Sequence, residues 1–187
     1  MKTKLLPALF ALALANLSFA QTCRELVRDS SGRLVQTIER HKEAGGTERA
    51  VIRDSSGRLI GTATTRTGFG TSGTARTDFR DSSGRLTGTA TTQSNPNFST
   101  TQTTYRDASS RLTGSASTTH SPYSGSRTQF RDASGRSTGS QTTSGNCSTS
   151  TTTTQRDASN RLTGTSSTTG KCNGMPRVPA PPTGTKK

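Results

Sequence analysis

Tryptophan is absent, apolar residues make up only 25% of the 187, and aromatics only 4%. A chain so poor in large apolar side chains cannot build a conventional globular core and sits near the composition of disordered proteins. Only an architecture in which identical units lean on one another can order it. There are just two histidines, His41 and His120, far apart and in unrelated contexts, so no metal set and no catalytic base is expected. Acidic residues are scarce too: 11 stand against 25 Lys and Arg. No run is long enough to span a bilayer as a helix.

What the chain does have is one signature six times over, seen most clearly in Arg80-Asp81-Ser82-Ser83-Gly84-Arg85-Leu86. It starts again at Arg28, Arg53, Arg106, Arg131 and Arg156, in steps of 25, 27, 26, 25 and 25 residues. Gly is replaced by Ser110 and Asn160 in two copies, and Leu by Ser137 in one. Asp at the start of a turn accepts main-chain N–H groups, and Gly or Asn near its end tolerates positive φ. Thr-rich, alternating segments flank each signature, as strands require. The unit therefore reads as a β-hairpin with a loop of about four residues.

Placing Asp81 opposite Leu86 sets a register with consequences. Phe79 then faces Gly88 and Thr77 faces Ala90; likewise Ile52 faces Gly61, Tyr105 faces Gly114 and Phe130 faces Gly139. A large side chain lying over a cross-strand glycine is a recurrent sheet device. One face carries Phe79, Leu86, Gly88 and Ala90, with Leu112 equivalent in its own repeat; the other carries Arg80, Thr87, Thr89 and Thr91. The expected fold is all-β: about six tandem hairpin repeats of 25–27 residues forming an antiparallel meander. A parallel β-solenoid is the alternative, disfavoured because it would stack Arg on Arg and Asp on Asp along its length.

The same register places Cys147 opposite Cys172 in the sixth hairpin, at a separation that suits a disulfide. Cys23 is then the odd cysteine. Residues 1–20 read as a secretory signal peptide: Lys2 and Lys4, an apolar stretch from Leu5 to Leu17, then Ser18-Phe19-Ala20. Export to the periplasm, cell surface or medium follows, with no membrane span after cleavage, and an oxidising compartment favours the disulfide. Setting Lys2 and Lys4 aside leaves 23 basic against 11 acidic residues, a net charge of +12. Residues 21–50 form a divergent first repeat, with Glu39, Arg40, His41, Lys42, Glu43, Glu48 and Arg49 where later copies carry threonines. Such a copy is expected to cap the array with its outer side in water. The uniform repeats fill 51–172, and a Pro-rich basic tail occupies 173–187.

With its aromatic, Asp, two variable residues, Gly, Arg and Leu, supplied here by Phe79, Asp81, Gly84, Arg85 and Leu86, the unit resembles the hairpin repeats of the Rhs/YD-repeat family. Arg80 is an extra residue between the aromatic and the aspartate. The resemblance covers residue 27 to about residue 170, implies hairpin sheets on an exported protein, and carries no catalytic residues across.

Neither an enzyme nor a cofactor or metal protein is expected. The Asp column recurs once per unit as turn formers do, and arginines crowd each carboxylate, which argues against calcium. The arginines are the candidate binding residues. Arg53, Arg80, Arg106, Arg131 and Arg156 form one column on the polar face; Arg58, Arg85, Arg111, Arg136 and Arg161 line the hairpin ends. One reading pairs them with the Asp column to keep a repetitive sheet unaggregated. The other makes them a spaced basic strip for a polyanion such as an acidic glycan or lipopolysaccharide. Dedicated nucleic-acid binding is disfavoured because the aromatics fall on the opposite face. A flat Thr array binding an ordered surface is interrupted by the arginines. The expected role is thus a structural or adhesive surface protein. The alternative is a secreted effector or inhibitor that takes an envelope protein partner along an edge strand.

Overall fold

A computed structural model describes residues 22–68, 73–121, 125–146 and 150–170. Every repeat is a hairpin. The strands are β1 (Thr22–Asp29), β2 (Leu34–Lys42), β3 (Thr47–Asp54), β4 (Leu59–Thr67), β5 (Thr74–Asp81), β6 (Leu86–Asn95), β7 (Thr100–Asp107), β8 (Leu112–Ser121), β9 (Gly125–Asp132), β10 (Ser137–Asn146), β11 (Ser150–Asp157) and β12 (Leu162–Gly170). Each pairs antiparallel with its sequence neighbours, so the all-β meander of hairpins is observed.

The meander does not stay open. β1 pairs with β12 from Cys23↔Gly170 to Asp29↔Gly164, closing a barrel of twelve described strands. The parallel solenoid is thereby excluded, since every described pairing is antiparallel. The first repeat, expected as a water-facing cap, has a repeat on each side. Closure also leaves no open sheet edge among the described strands, and so no place there for a partner to pair along an edge. The cysteine pairing falls on Cys147 and Cys172, which lie outside the described residues; the register sum they share holds from Ser150↔Thr169 to Gln155↔Gly164.

The glycine register is found as expected in the strands: Phe79↔Gly88, Thr77↔Ala90, Ile52↔Gly61, Tyr105↔Gly114 and Phe130↔Gly139. Near the turn it differs. Arg80, rather than Asp81, lies across from Leu86, because a β-bulge takes up one residue between Phe79 and Arg80's partners. The leucines therefore do not join the aromatics. Leu112 sits across from Arg106 and is 44% exposed, and the core cluster holds Ala90, Tyr105 and Ala116 with Phe79 and Phe130 packed against it.

The glycines serve a second contact that the hairpin alone does not reveal. A Cβ on Gly61 would lie 2.6 Å from the carbonyl oxygen of Arg80 in the next repeat, and one on Gly88 2.6 Å from that of Arg106. Gly164 meets the carbonyl of Arg28 in the same way, at 2.5 Å. The last repeat thus treats the first as its successor, and a unit whose two sides are complementary in this way must either extend or close. Twist accumulated over six hairpins brings the ends together.

Alternation sends one face of every strand inward. Among the described residues that face is mostly small and polar, and it is dry: Thr77 is 1% exposed, Thr153 2% and Thr103 3%. A water-filled channel would leave these side chains accessible. Their hydroxyls pair across the seams between repeats: Thr65 with Thr77 at 2.7 Å, Thr92 with Thr103 at 3.0 Å, Thr118 with Thr128 at 2.8 Å and Thr143 with Thr153 at 2.9 Å. At the same level, the two seams flanking the first repeat carry Arg40↔Ala50 and Thr168↔Glu25. There Arg40 turns to Glu25 at 3.0 Å and to Glu48 at 3.4 Å.

Thus Glu48, expected to face water, is buried in the barrel, and Arg40 is largely withdrawn from solvent beside it. Burial would by itself lower the pKa of Arg40, but Glu25 and Glu48 outweigh it and hold the guanidinium charged. The longer contact to Arg40 does not offset the burial of Glu48, whose carboxyl is pushed up, with Oε2 lacking a hydrogen-bond partner. Glu25 being engaged with Arg40, the buried hydroxyl of Thr168 has no partner either.

Two outcomes are expected. Gly88→Ala should destabilise the barrel by about 1–3 kcal/mol, since the methyl meets immobile backbone rather than a side-chain tip; a denaturant midpoint unchanged from the parent would exclude the close approach. Thr65→Val and Thr77→Val should each cost about 1–3 kcal/mol by leaving one buried hydroxyl alone, whereas the double variant should cost clearly less than their sum. Additive losses in a double-mutant cycle would count against the hydroxyl pair.

Candidate functional site: an arginine rim

All six signature turns join an odd strand to the following even strand, so all lie at the same end of the barrel. Their local chemistry is uniform. In the third, the Gly84 N–H donates to the Asp81 carbonyl at 3.0 Å and the Asp81 N–H to the Arg85 carbonyl at 3.0 Å. The four residues between strands β5 and β6 are the expected loop, and three of them lie inside the Asp81–Arg85 hydrogen bond. The third of them takes positive φ: 82° at Gly84, 65° at Ser110 and 66° at Asn160. This is a turn closed by a bulge, in which the Gly and Asn preference has its ordinary cause.

The aspartate is the turn's staple. Oδ1 of Asp81 accepts the N–H of Ser83 at 2.9 Å, the N–H of Arg85 at 3.0 Å and the hydroxyl of Ser83 at 2.7 Å. Asp54 is held the same way by Ser56 and Arg58. The serine hydroxyl first, then the arginine N–H, keep the carboxyls of Asp54 and Asp81 below their ordinary pKa. The turns therefore occupy the carboxylates with main-chain donors.

That answers what the arginines pair with. The leading arginine of each signature donates from Nη1 to a carbonyl of its own turn: Arg28 to Gly32, Arg53 to Gly57, Arg80 to Gly84, Arg106 to Ser110, Arg131 to Gly135 and Arg156 to Asn160, at 2.7–3.0 Å. A carbonyl fixes the side chain without neutralising it. The trailing arginines (Arg33, Arg58, Arg85, Arg111, Arg136 and Arg161) are exposed, and it is their main-chain N–H that bonds the aspartate. The ion pairs found among the described residues are Arg40 with Glu25 and Glu48, and Arg66 and Arg76 with Asp78. None involves a rim arginine.

The expected linear column is thus a ring. Arg28 and Arg33, absent from the expected set, belong to it, and their shared signature was the available clue. Closure sets Arg28 across from Thr165 of the sixth repeat. Twelve arginines and six aspartates give this rim a net charge of +6. Equivalent residues of neighbouring repeats are two strands apart, roughly 10 Å. Below the rim, Arg24, Arg49, Arg76 and Arg127 stand four residues before a leading arginine on the same outward face.

The remaining outer wall is mainly Thr, Ser and Gln. A lipid-facing barrel needs an apolar band, and each of these mid-wall arginines would cost about 2–4 kcal/mol in one. No helix among the described residues is long and apolar enough to cross a membrane. His41 lies 3.4 Å from Thr22, and His120 lies 3.3 Å from Thr101. Among the described residues no three His, Cys, Asp or Glu side chains gather as a metal site would require. No family model, curated protein or solved structure matches the chain.

The depressed carboxyls of Asp54 and Asp81 imply a pH dependence of defined sign. A group whose folded pKa lies below its unfolded value stabilises above the unfolded value, near 3.9, and that contribution is lost as pH falls through the folded one. The melting temperature should therefore drop on acidification below about pH 4. Asp54→Asn with Asp81→Asn should start lower at neutral pH and show a shallower drop. Parallel acid curves for the variant and the parent would dismiss the staple.

Proposed function

We propose that the chain is an exported, non-enzymatic protein that works as a structural or adhesive component at the cell surface or in the periplasm and binds polyanions through its arginine rim. The observation that carries this reading is the state of the twelve rim arginines. They are exposed, held on hydrogen-bonded turns, and form no ion pair with a carboxylate among the described residues. Guanidinium groups bind phosphate, sulfate and carboxylate in bidentate fashion, and leading arginines fixed by a carbonyl lose little freedom on binding. Acidic glycan and lipopolysaccharide fit this chemistry best, and an acidic envelope protein is a further candidate.

Salt separates this from contacts made by main-chain pairing or apolar packing. Exposed charge pairs are screened over about 8 Å at physiological ionic strength. Binding of the exported protein to dextran sulfate should weaken steeply between low and physiological salt. Replacing Arg58, Arg85 and Arg111 by Gln should weaken it further with the fold intact. A salt-insensitive affinity, or one untouched by the triple replacement, would overturn the reading.

A further inference from the structure

The rim carries more than charge. Five large apolar side chains are exposed among the described residues: Val35, Ile60, Phe98, Leu112 and Leu162. Four of them belong to the turn end. Leu112 and Leu162 directly follow the trailing arginines Arg111 and Arg161; Val35 and Ile60 come two residues after Arg33 and Arg58. Phe98 alone is elsewhere, in the short helical turn Pro96–Phe98 at the other end. The four fall in the first, second, fourth and sixth repeats and are 41–48% exposed, so they are spread around the ring rather than gathered on one side.

Shape matters as much as composition. The six turns lie at one end of a closed ring. A linear polymer crossing that end touches a few turns at a time, whereas a flat surface meets all six together. A flat partner that rewards both guanidinium and aliphatic groups is a lipid surface rich in phosphate headgroups. Arginines neutralise the phosphates, and the aliphatic side chains enter the boundary between headgroups and acyl chains. A soluble acidic glycan offers nothing for the leucines. We therefore infer that the barrel docks end-on, through its arginine rim, on an anionic lipid surface. This rests on the polyanion reading above and narrows it to phosphate headgroups.

The test uses the full exported chain and two probes in parallel: vesicles of phosphatidylcholine with phosphatidylglycerol, and soluble dextran sulfate. Sedimentation should show binding to the mixed vesicles, little to phosphatidylcholine alone, and release by salt. Arg58→Gln, Arg85→Gln and Arg111→Gln together should lower vesicle partitioning by roughly a hundredfold. The matched wall set, Arg24→Gln, Arg49→Gln and Arg127→Gln, should lower it far less. Leu112→Ser with Leu162→Ser should reduce vesicle binding several-fold and leave dextran sulfate binding unchanged. Equal losses from the rim and wall sets, or an indifferent leucine pair, would overturn end-on docking. Binding to dextran sulfate without binding to vesicles would overturn this inference and leave the polyanion reading standing. Binding to neither would overturn both.

Discussion

Glycine in the second strand of a repeat lets the main chain of the next repeat approach to where a Cβ would otherwise be. Gly61, Gly88 and Gly164 each face an arginine carbonyl in this way, and the arginine is always the leading residue of the following signature. One contact therefore fixes the register between repeats and sets the position of the next turn. It also makes the two sides of a repeat complementary, so the last repeat receives the first and the sheet closes. With the edges gone, a chain that has few large apolar residues and a strong tendency to pair strands loses the route by which such sheets aggregate.

The first repeat departs from this scheme in a consistent way. Gln36 stands where the other repeats have glycine, and Ala50 and Glu25 stand where they have the second threonine of a hydroxyl pair. The ion cluster of Arg40 with Glu25 and Glu48 crosses the seam that lacks the glycine. Buried ion pairs add little net stability but can specify pairing. Among near-identical repeats an alternative strand order costs little, and a charge cluster at one seam alone distinguishes the correct neighbours from the rest. The orphaned oxygens of Glu48 and Thr168 are the local cost of that distinction.

Much of the hairpin was legible in the sequence because a period of two and a turn signature are local properties. Phe79 over Gly88, Tyr105 over Gly114 and the positive φ of Gly84 and Asn160 all follow from residues within one unit. The bulge beside Arg80 was not legible: alternation counts residues, and a bulge consumes one without changing composition. Closure was not legible either, since each strand of an open meander and of a barrel has the same sequence neighbours, and only β1 and β12 differ. The charged residues of the first repeat pointed to a solvated cap because Arg40 and Glu48 are ordinarily exposed. Their withdrawal from solvent depends on partners from three different strands. Of the candidate site, the arginines were readable one by one, but their arrangement as a ring, and the membership of Arg28 and Arg33, came only with closure.

The rim is where the molecule stops optimising its own stability. Inside the barrel most polar groups find partners, down to hydroxyls paired at 2.7–3.0 Å. At the turns the carboxylates that could have neutralised the arginines are instead committed to main-chain N–H groups, six times over. Like charges then stand about 10 Å apart around a closed ring, close to one screening length, and repel one another. Turn formation asks little of this: the trailing arginine bonds the staple through its main-chain N–H, and its charge is the smallest of the effects that lower Asp54 and Asp81. Repulsion retained at every repeat where the fold has little need of it is the kind of local conflict that marks a binding surface, because an anionic partner removes it on contact.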